Sequence, residues 1–171
     1  KFKISVVRSG NVIGGGDWAE KRLVTELIHS LKEKKDFTLR KPKSIRPWQS
    51  ILDSIYGYIL VAQENYLKNT SEIYNLNSDP NNKYDSSYIA NQFVESWNSN
   101  INIMNDEIEQ FKEVDVLRIN SSKAFRQLGW KPKISIDKLV DLTVSWEKNH
   151  LDNNTSEFSL MQIKEYMKLV E

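Results

Sequence analysis

The sequence contains no cysteine, and it has only two histidines, His29 and His150, far apart along the chain. The lack of cysteine excludes disulfides and thiolate metal sites, and it is compatible with a reducing compartment. Two isolated histidines argue against a histidine-based metal site, and we interpret each as a surface or helix-end residue. The sequence therefore predicts no metal centre.

Long apolar runs and an excess of charge of one sign are also absent. No run reaches the roughly 20 apolar residues that span a bilayer, and the formal net charge is +1. This balance offers no basic footprint for nucleic acid or for an anionic membrane. The first residues do not have the layout of a signal peptide. We therefore expect no nucleic-acid partner, no membrane association and a cytoplasmic location.

What the sequence does contain is an alternation of strand and helix patterns, which indicates an α/β fold. Residues 51–67 give the clearest helix, with an apolar stripe along one side. Residues 3–8 predict a strand with no lead-in, which is a first hint of truncation. The patterns predict strands at 3–8, 37–40, 73–76 and 114–119, and helices at 20–34, 51–67, 84–98, 121–128, 136–146 and 158–170. The segment 41–49 is predicted as a loop, 100–113 is ambiguous, 77–82 reads as a turn and 149–155 as a polar linker.

A glycine-rich stretch, residues 10–16, lies between the first strand and the first helix. Its spacing is not G-x-G-x-x-G, and no acidic residue closes a second strand about 20 residues later, so it is not a dinucleotide fingerprint. One interpretation is a tight connection that needs glycine. The other is a loop whose backbone and Asn11 side chain approach phosphate or sugar oxygens.

A second candidate is the loop sequence Arg46-Pro47-Trp48-Gln49. Proline restricts the backbone, and a guanidinium held beside it could pair with two phosphate oxygens at once. The alternative is a solvated Arg46 with Trp48 filling the core. Arg22 and Arg40 could add positive charge to the same pocket, as a diphosphate would require.

These motifs resemble those of CDP-glucose 4,6-dehydratases, which are extended short-chain dehydrogenase/reductases. The resemblance is carried by Arg8-Ser-Gly-Asn-Val-Ile-Gly-Gly-Gly-Asp-Trp-Ala19, by Arg46-Pro-Trp-Gln49 followed by Gly57-Tyr58, and by the ending Ser122-Lys-Ala124 with Leu128-Gly-Trp-Lys-Pro132. It covers roughly residues 4–148. It implies a C-terminal substrate-binding lobe with the last strands of an incomplete Rossmann-type sheet, over residues 1–150, followed by a helical extension over 151–171.

The resemblance also implies a function. The parent enzyme would be an NAD-dependent lyase that turns CDP-glucose into a 4-keto-6-deoxy sugar nucleotide for deoxysugar and lipopolysaccharide biosynthesis, and it would be a homo-oligomer. The family's cofactor turn and Tyr-x-x-x-Lys pair do not occur here, so no catalytic or NAD-binding residue carries over. We expect the isolated chain to be inactive and the missing N-terminal half to be its partner.

The resemblance does imply substrate-binding residues in this chain. Glu113 loosely matches a family acid near the nucleotide. The substrate-binding residues that we predict are Asn11, Arg22, Leu23, Arg40, Arg46, Trp48 and Gln49. Two alternatives stay open at this point. The chain could come from another nucleotide-sugar epimerase, dehydratase or reductase, or it could be a binding module without catalysis.

Overall fold

The structure, a computed structural model, describes residues 3–77, 83–105, 114–151 and 155–171. Short strands alternate with longer helices over this part of the chain. In chain order the elements are β1 (Val6–Ser9), β2 (Asn11–Ile13), α1 (Leu23–Glu33), β3 (Phe37–Leu39), β4 (Trp48–Ser50), α2 (Ile51–Lys68), β5 (Ile73–Leu76), α3 (Ser86–Trp97), β6 (Ile103–Asn105), α4 (Ser122–Leu128), α5 (Ile136–Leu151) and α6 (Thr155–Val170).

The six strands form three parallel pairs, β1 with β5, β2 with β4 and β3 with β6. Parallel strands need a crossover between them, and helices α1, α2 and α3 lie within these connections. In the β2–β4 pair, Asn11 lies opposite Trp48. The strand register therefore makes neighbours of the two motifs that the sequence singled out.

Two groups of buried side chains hold these elements together. The larger lies between α1, α3, α5 and the strands β2 to β4, and it includes Leu27, Leu31, Ile89, Phe93, Leu139 and Val140. The smaller joins α2, β5 and α4 around Trp130 and Tyr74. Burial of these apolar side chains is the main force that stabilises the short strand pairs.

Local capping sets the ends of several helices. The Ser50 hydroxyl accepts the Leu52 N–H at the start of α2, and the Asp85 carboxylate accepts the Tyr88 N–H, 2.7 Å away, at the start of α3. Gly129 ends α4 in the left-handed conformation at φ +66°. That ending confirms the stop predicted from the sequence.

The predicted α/β class is confirmed, and so are the six predicted helices, with shifted ends. Helix α1 begins at Leu23 rather than at residue 20, and α5 continues to Leu151, beyond the predicted end at 146. The division predicted at residue 150 therefore falls within α5. Over the described residues, every helix is either too short or too polar to be a candidate membrane span.

The strand prediction for 114–119 is wrong. Backbone bonds from this segment go to the Arg46 loop instead of to a sheet: Ile45 N–H donates to Asp115 O and Leu117 N–H donates to Ile45 O. The prediction of a plain loop over 41–49 also needs correction, because it ends in β4. Strand β6 lies in the segment that was ambiguous, while the predicted turn residues 78–82, Glu113 and residues 152–154 of the linker lie outside the described residues.

Helix α2 is present, but its apolar stripe does not face the core. Ile55, Ile59 and Tyr66 are exposed, Tyr66 to 88%. The buried face carries Asp53 and Gly57 instead. An added Cβ at Gly57 would lie 2.3 Å from Leu76 Cδ1, so glycine lets α2 approach β5 closely.

Candidate functional site

An open cleft of about 900 Å³ lies between the ends of β1 and β3, the start of α1 and the Arg46 loop. We call it the basic cleft. Among its lining residues are Ser9, Gly10, Asn11, Asp17, Lys21, Arg22, Leu23, Val24, Glu26, Phe37, Leu39, Arg40, Lys41, Ser44, Arg46, Trp48, Tyr58 and Ser86. Six of the seven predicted substrate-binding residues are in this set.

Gln49 is the exception. Its side chain is 1% exposed, and its Nε2 donates to the Ser54 hydroxyl 2.9 Å away. Successive side chains along a strand point to opposite sides. Gln49 therefore points away from the cleft that its neighbour Trp48 lines. We therefore assign Gln49 a role in fixing the start of α2 and not in the cleft.

The lining carries five cationic side chains and two carboxylates. The cations are Lys21, Arg22, Arg40, Lys41 and Arg46, and the carboxylates are Asp17 and Glu26. Cations that converge on one concave surface attract an anionic ligand and concentrate it there. The net excess of three positive charges suits a group with two or three negative charges, such as a diphosphate.

Each cleft carboxylate is paired with an arginine. Arg22 Nη1 donates to Asp17 Oδ2 at 2.8 Å, and Arg40 Nη2 donates to both carboxylate oxygens of Glu26, at 2.9 and 2.8 Å. Both pairs are partly exposed, so they are weak contributors to stability. Their effect is to fix the direction of two long side chains at the cleft wall.

Arg46 is held by backbone carbonyls. Its Nη1 donates to Ile45 O at 3.0 Å and to Asp115 O at 3.2 Å. A guanidinium is a planar, rigid fork of donors, so these two bonds fix the direction in which it lies. The segment that was predicted as a strand at 114–119 thus serves to brace this arginine.

The wall beside Arg46 is rigid and partly aromatic. Trp48 is buried, and its indole N–H donates to Tyr84 O at 3.1 Å. The Asn11 N–H donates to Pro47 O at 2.8 Å. Tyr58 and Ser9 also line the cleft, and their hydroxyl oxygens are 3.0 Å apart.

Several lining residues were missed by reasoning from the sequence. Asp17 has a local signal, because it lies five residues before Arg22, the arginine with which it pairs. Glu26 has none, because its partner Arg40 lies 14 residues further along the chain. Lys41 directly follows Arg40 and could have been included on the same ground. Ser9 and Tyr58 come together only through tertiary packing, so the sequence gives no local sign of their contact.

The glycine-rich stretch does not offer a place for the pyrophosphate of a dinucleotide. An added Cβ at Gly10 would lie 2.0 Å from Pro47 O, at Gly14 it would lie 2.3 Å from Ile51 Cγ2, and at Gly15 it would lie 2.2 Å from Trp146 Cδ2. These glycines are needed because other parts of the chain fill the space. Gly10 alone among them lines the basic cleft. This stretch therefore does not fit the pyrophosphate of NAD. The described part of the chain holds no cluster of metal-ligating side chains.

Comparison with known proteins agrees with the resemblance that the motifs carry. The chain is 35% identical over 147 residues to the CDP-glucose 4,6-dehydratase of Salmonella typhimurium strain LT2, and this match covers 85% of the chain and 41% of that relative. The chain thus spans less than half the length of the curated relative that it matches.

Solved structures show the same fold at low identity. The Thermotoga maritima UDP-glucose 4-epimerase with UDP-glucose matches with a TM-score of 0.73 and 20% identity over 86% of this chain and 46% of that one. The Stenotrophomonas maltophila UDP-glucose-4-epimerase with bound NAD and formylated UDP-arabinopyranose matches with a TM-score of 0.75 and 13% identity, over 88% and 49% of the two chains.

The profile of the family described as GDP-mannose 4,6 dehydratase matches residues 13–143, which is more than half of the chain. That stretch includes the start of α1, the Arg46 loop and helices α2 to α4. With the fold, the motifs and the relative in agreement, the chain belongs to the GDP-mannose 4,6 dehydratase family of nucleotide-sugar enzymes.

Proposed function

We propose that the basic cleft binds a nucleotide diphosphate sugar, with CDP-glucose as the ligand. The observation that carries this proposal is the convergence of Arg22, Arg40 and Arg46 with Asn11 on one cleft. A diphosphate there would accept charge-assisted hydrogen bonds from the guanidinium groups, and Asn11 could donate to a phosphate or sugar oxygen.

The rest of the cleft lining suits the rest of such a ligand. Leu23, Val24, Phe37 and Leu39 supply apolar surface, and Ser9 and Tyr58 supply hydroxyls. Ligand sites of this size commonly combine apolar walls with a few placed polar groups. We propose that the base packs against the apolar residues, that the sugar meets the hydroxyls and that the diphosphate meets the arginines.

The whole reaction needs more than this chain supplies. We propose that the parent is an NAD-dependent 4,6-dehydratase, a lyase, whose remaining part binds the cofactor and carries the catalytic residues. The exposed stripe of α2 with Ile55 and Ile59 is the face that we expect this remaining part to cover. Its product would be CDP-4-keto-6-deoxyglucose, a precursor for lipopolysaccharide deoxysugars, made by a cytoplasmic homo-oligomer.

Titration calorimetry of the full 171-residue chain with CDP tests the binding proposal. We expect R46A to weaken CDP binding by about tenfold or more, since a charged hydrogen-bond partner contributes about 1.5–3 kcal/mol. The matched control is R126A, because Arg126 is an exposed arginine on α4 outside the cleft lining. Equal affinity of R46A and the parent would remove Arg46 from the site.

Two further measurements separate the alternatives. Tighter binding of UDP than of CDP would indicate that the parent enzyme acts on a UDP-sugar. A lack of affinity for either nucleotide would favour a module with another role. With CDP-glucose and NAD⁺, we expect the isolated chain to form no 4-keto product. Alkaline ultraviolet absorbance would detect that product, and its appearance would contradict the expected inactivity.

A further inference from the structure

The glycine-rich turn is anchored by a buried carboxylate that lies outside the basic cleft. Glu147, on α5, is 1% exposed. Its Oε1 accepts the Gly16 N–H at 3.1 Å, and its Oε2 accepts Lys32 Nζ at 2.6 Å. One side chain of α5 thus connects the turn after β2 with the last turn of α1.

The same turn is packed from one side by aromatic rings. Trp146 contacts Gly15 so closely that a Cβ there would lie 2.2 Å from its ring. Trp146 in turn stacks on His150, with ring centroids 5.3 Å apart, and Lys32 Nζ lies 5.2 Å from the Trp18 ring centroid. The bond to Glu147 and this packing leave Gly16 little freedom to move.

Gly16 is followed directly by Asp17, which holds Arg22. Asp17 uses one oxygen to accept the Ala19 N–H at 3.0 Å and the other to accept Arg22 Nη1 at 2.8 Å. A shift of Gly16 therefore moves Asp17, and with it one of the cationic side chains of the basic cleft. Arg22 is also the residue that precedes α1, the helix that Lys32 ties to Glu147.

We propose that Glu147 is a positioning residue for the diphosphate site, acting on Arg22 through Gly16 and Asp17. Glu147 and Lys32 are not in the cleft lining, so neither touches the ligand. The Glu147 side chain is 1% exposed and the Lys32 side chain 20%, so loss of Lys32 leaves a buried carboxylate without its cation, and loss of Glu147 leaves a partly buried ammonium without its carboxylate. This inference rests on the proposed function where CDP binding is measured. The contacts from Glu147 to Arg22 can be tested without it.

A double-mutant cycle in CDP binding by the full chain tests the connection. We expect R22A to raise the Kd for CDP about tenfold and E147A to raise it about threefold to tenfold. Since both act through Arg22, the R22A/E147A variant should bind no more weakly than R22A alone. Additive losses would overturn the proposal, because Glu147 would then act by a route that does not include Arg22.

Loss of general stability has to be distinguished from loss of position. V61A truncates a buried side chain of the smaller core, so it should lower the melting temperature without changing the Kd for CDP. The E147Q/K32M variant removes both charges and keeps an amide oxygen for the Gly16 N–H, so we expect it to restore affinity to near that of the parent. Equal losses of affinity in V61A and E147A, or no restoration in E147Q/K32M, would count against positioning.

An NMR readout keeps this inference separate from the proposed function. In E147A we expect the Gly16 amide and the Arg22 Nε signals to shift, and the Gly16 amide to exchange faster with solvent. Unchanged signals for both residues would overturn the positioning role, whether or not CDP binds. A parent chain that shows no affinity for CDP, together with shifted signals in E147A, would reject the proposed function and retain the connection from Glu147 to Arg22.

Discussion

The Tyr166 hydroxyl on α6 donates to Oδ1 of Asp53, in the first turn of α2, at 2.8 Å. Asp53 is 1% exposed, and it also accepts the Lys133 N–H at 2.9 Å and the Ile134 N–H at 3.3 Å. A buried carboxylate needs such donors, because burial without them is costly. Helix α6 is therefore attached to the rest of the fold by a specific polar contact as well as by packing.

Replacing Tyr166 by phenylalanine tests how much this contact stabilises the chain. The Y166F variant keeps the ring against Tyr56, whose centroid is 6.2 Å away, but it removes one donor to the buried carboxylate. We expect the free energy of unfolding to fall by about 1.5–3 kcal/mol in urea denaturation. The control is Y66F, because Tyr66 is 88% exposed and its replacement should change stability by less than about 0.5 kcal/mol. Similar values for both variants would show that the contact contributes nothing specific.

The buried carboxyl of Asp53 should also make the stability of the folded chain depend on pH. Burial raises the pKa of its carboxyl above the ordinary value of 3.8, against the opposing effect of its hydrogen bonds. Between 3.8 and the higher pKa of the folded state, the folded chain binds more protons than the unfolded chain, so the stability that Asp53 contributes falls as the pH rises. This contribution to stability is fully present below pH 3.8. It is lost as the pH rises through the pKa of the folded state, and at higher pH the stability no longer changes with this group.

The D53N variant isolates this effect, because asparagine has nearly the same shape and does not titrate. We expect the unfolding free energy of the parent, relative to D53N, to decrease as the pH is raised from about 4 and then to level off. Urea denaturation of both proteins over a pH series measures the difference. A constant difference over the series would show that the carboxyl titrates alike in the folded and unfolded chains.

Reasoning from the sequence worked where local periodicity and capping decide the structure. The pattern of α4, with Gly129 after it, is local, and the structure reproduces it. It failed where tertiary contacts override the pattern. The branched residues near Val116 favour a strand, but their backbone groups bond to Ile45. Helix α2 shows the same limit, since Asp53 is buried while Ile59 is exposed.

The candidate site was predictable in its charges and less so in its geometry. Arg22 and Arg46 were identified by residue type and by resemblance, and the structure brings both to one cleft. What the sequence could not indicate is how they are held, because Asp115 and Glu147 act from distant positions in the chain. Gln49 was predicted from its place beside Trp48, and only the strand geometry shows that it points elsewhere.

Close packing of the glycine-rich turn makes Gly15 a sensitive position. A Cβ there would lie 2.2 Å from Cδ2 of Trp146, a bulky ring that is itself fixed by stacking on His150. Overpacking costs about 1–3 kcal/mol, and we expect G15A to lie near the upper end of that range in urea denaturation.

The control for G15A is G129A. An added Cβ at Gly129 would have nothing within 4 Å, so the cost of an alanine there comes only from the φ of +66°. We expect G129A to lower the free energy of unfolding by about 1 kcal/mol. Equal losses in the two variants would show that the Trp146 ring can move aside.

Glu26 lowers the positive charge of the basic cleft through its pairing with Arg40. Their Nη2 and Oε2 atoms are 2.8 Å apart, and both side chains are partly exposed. Neutralising this carboxylate in E26Q leaves more positive charge for a diphosphate, so we expect CDP to bind about threefold more tightly. The gain should shrink in high salt, because salt screens exposed charges. E33Q, on the same helix but outside the cleft lining, should leave the Kd unchanged. Weaker binding by E26Q would instead mean that the direction Glu26 imposes on Arg40 matters more than the charge it neutralises.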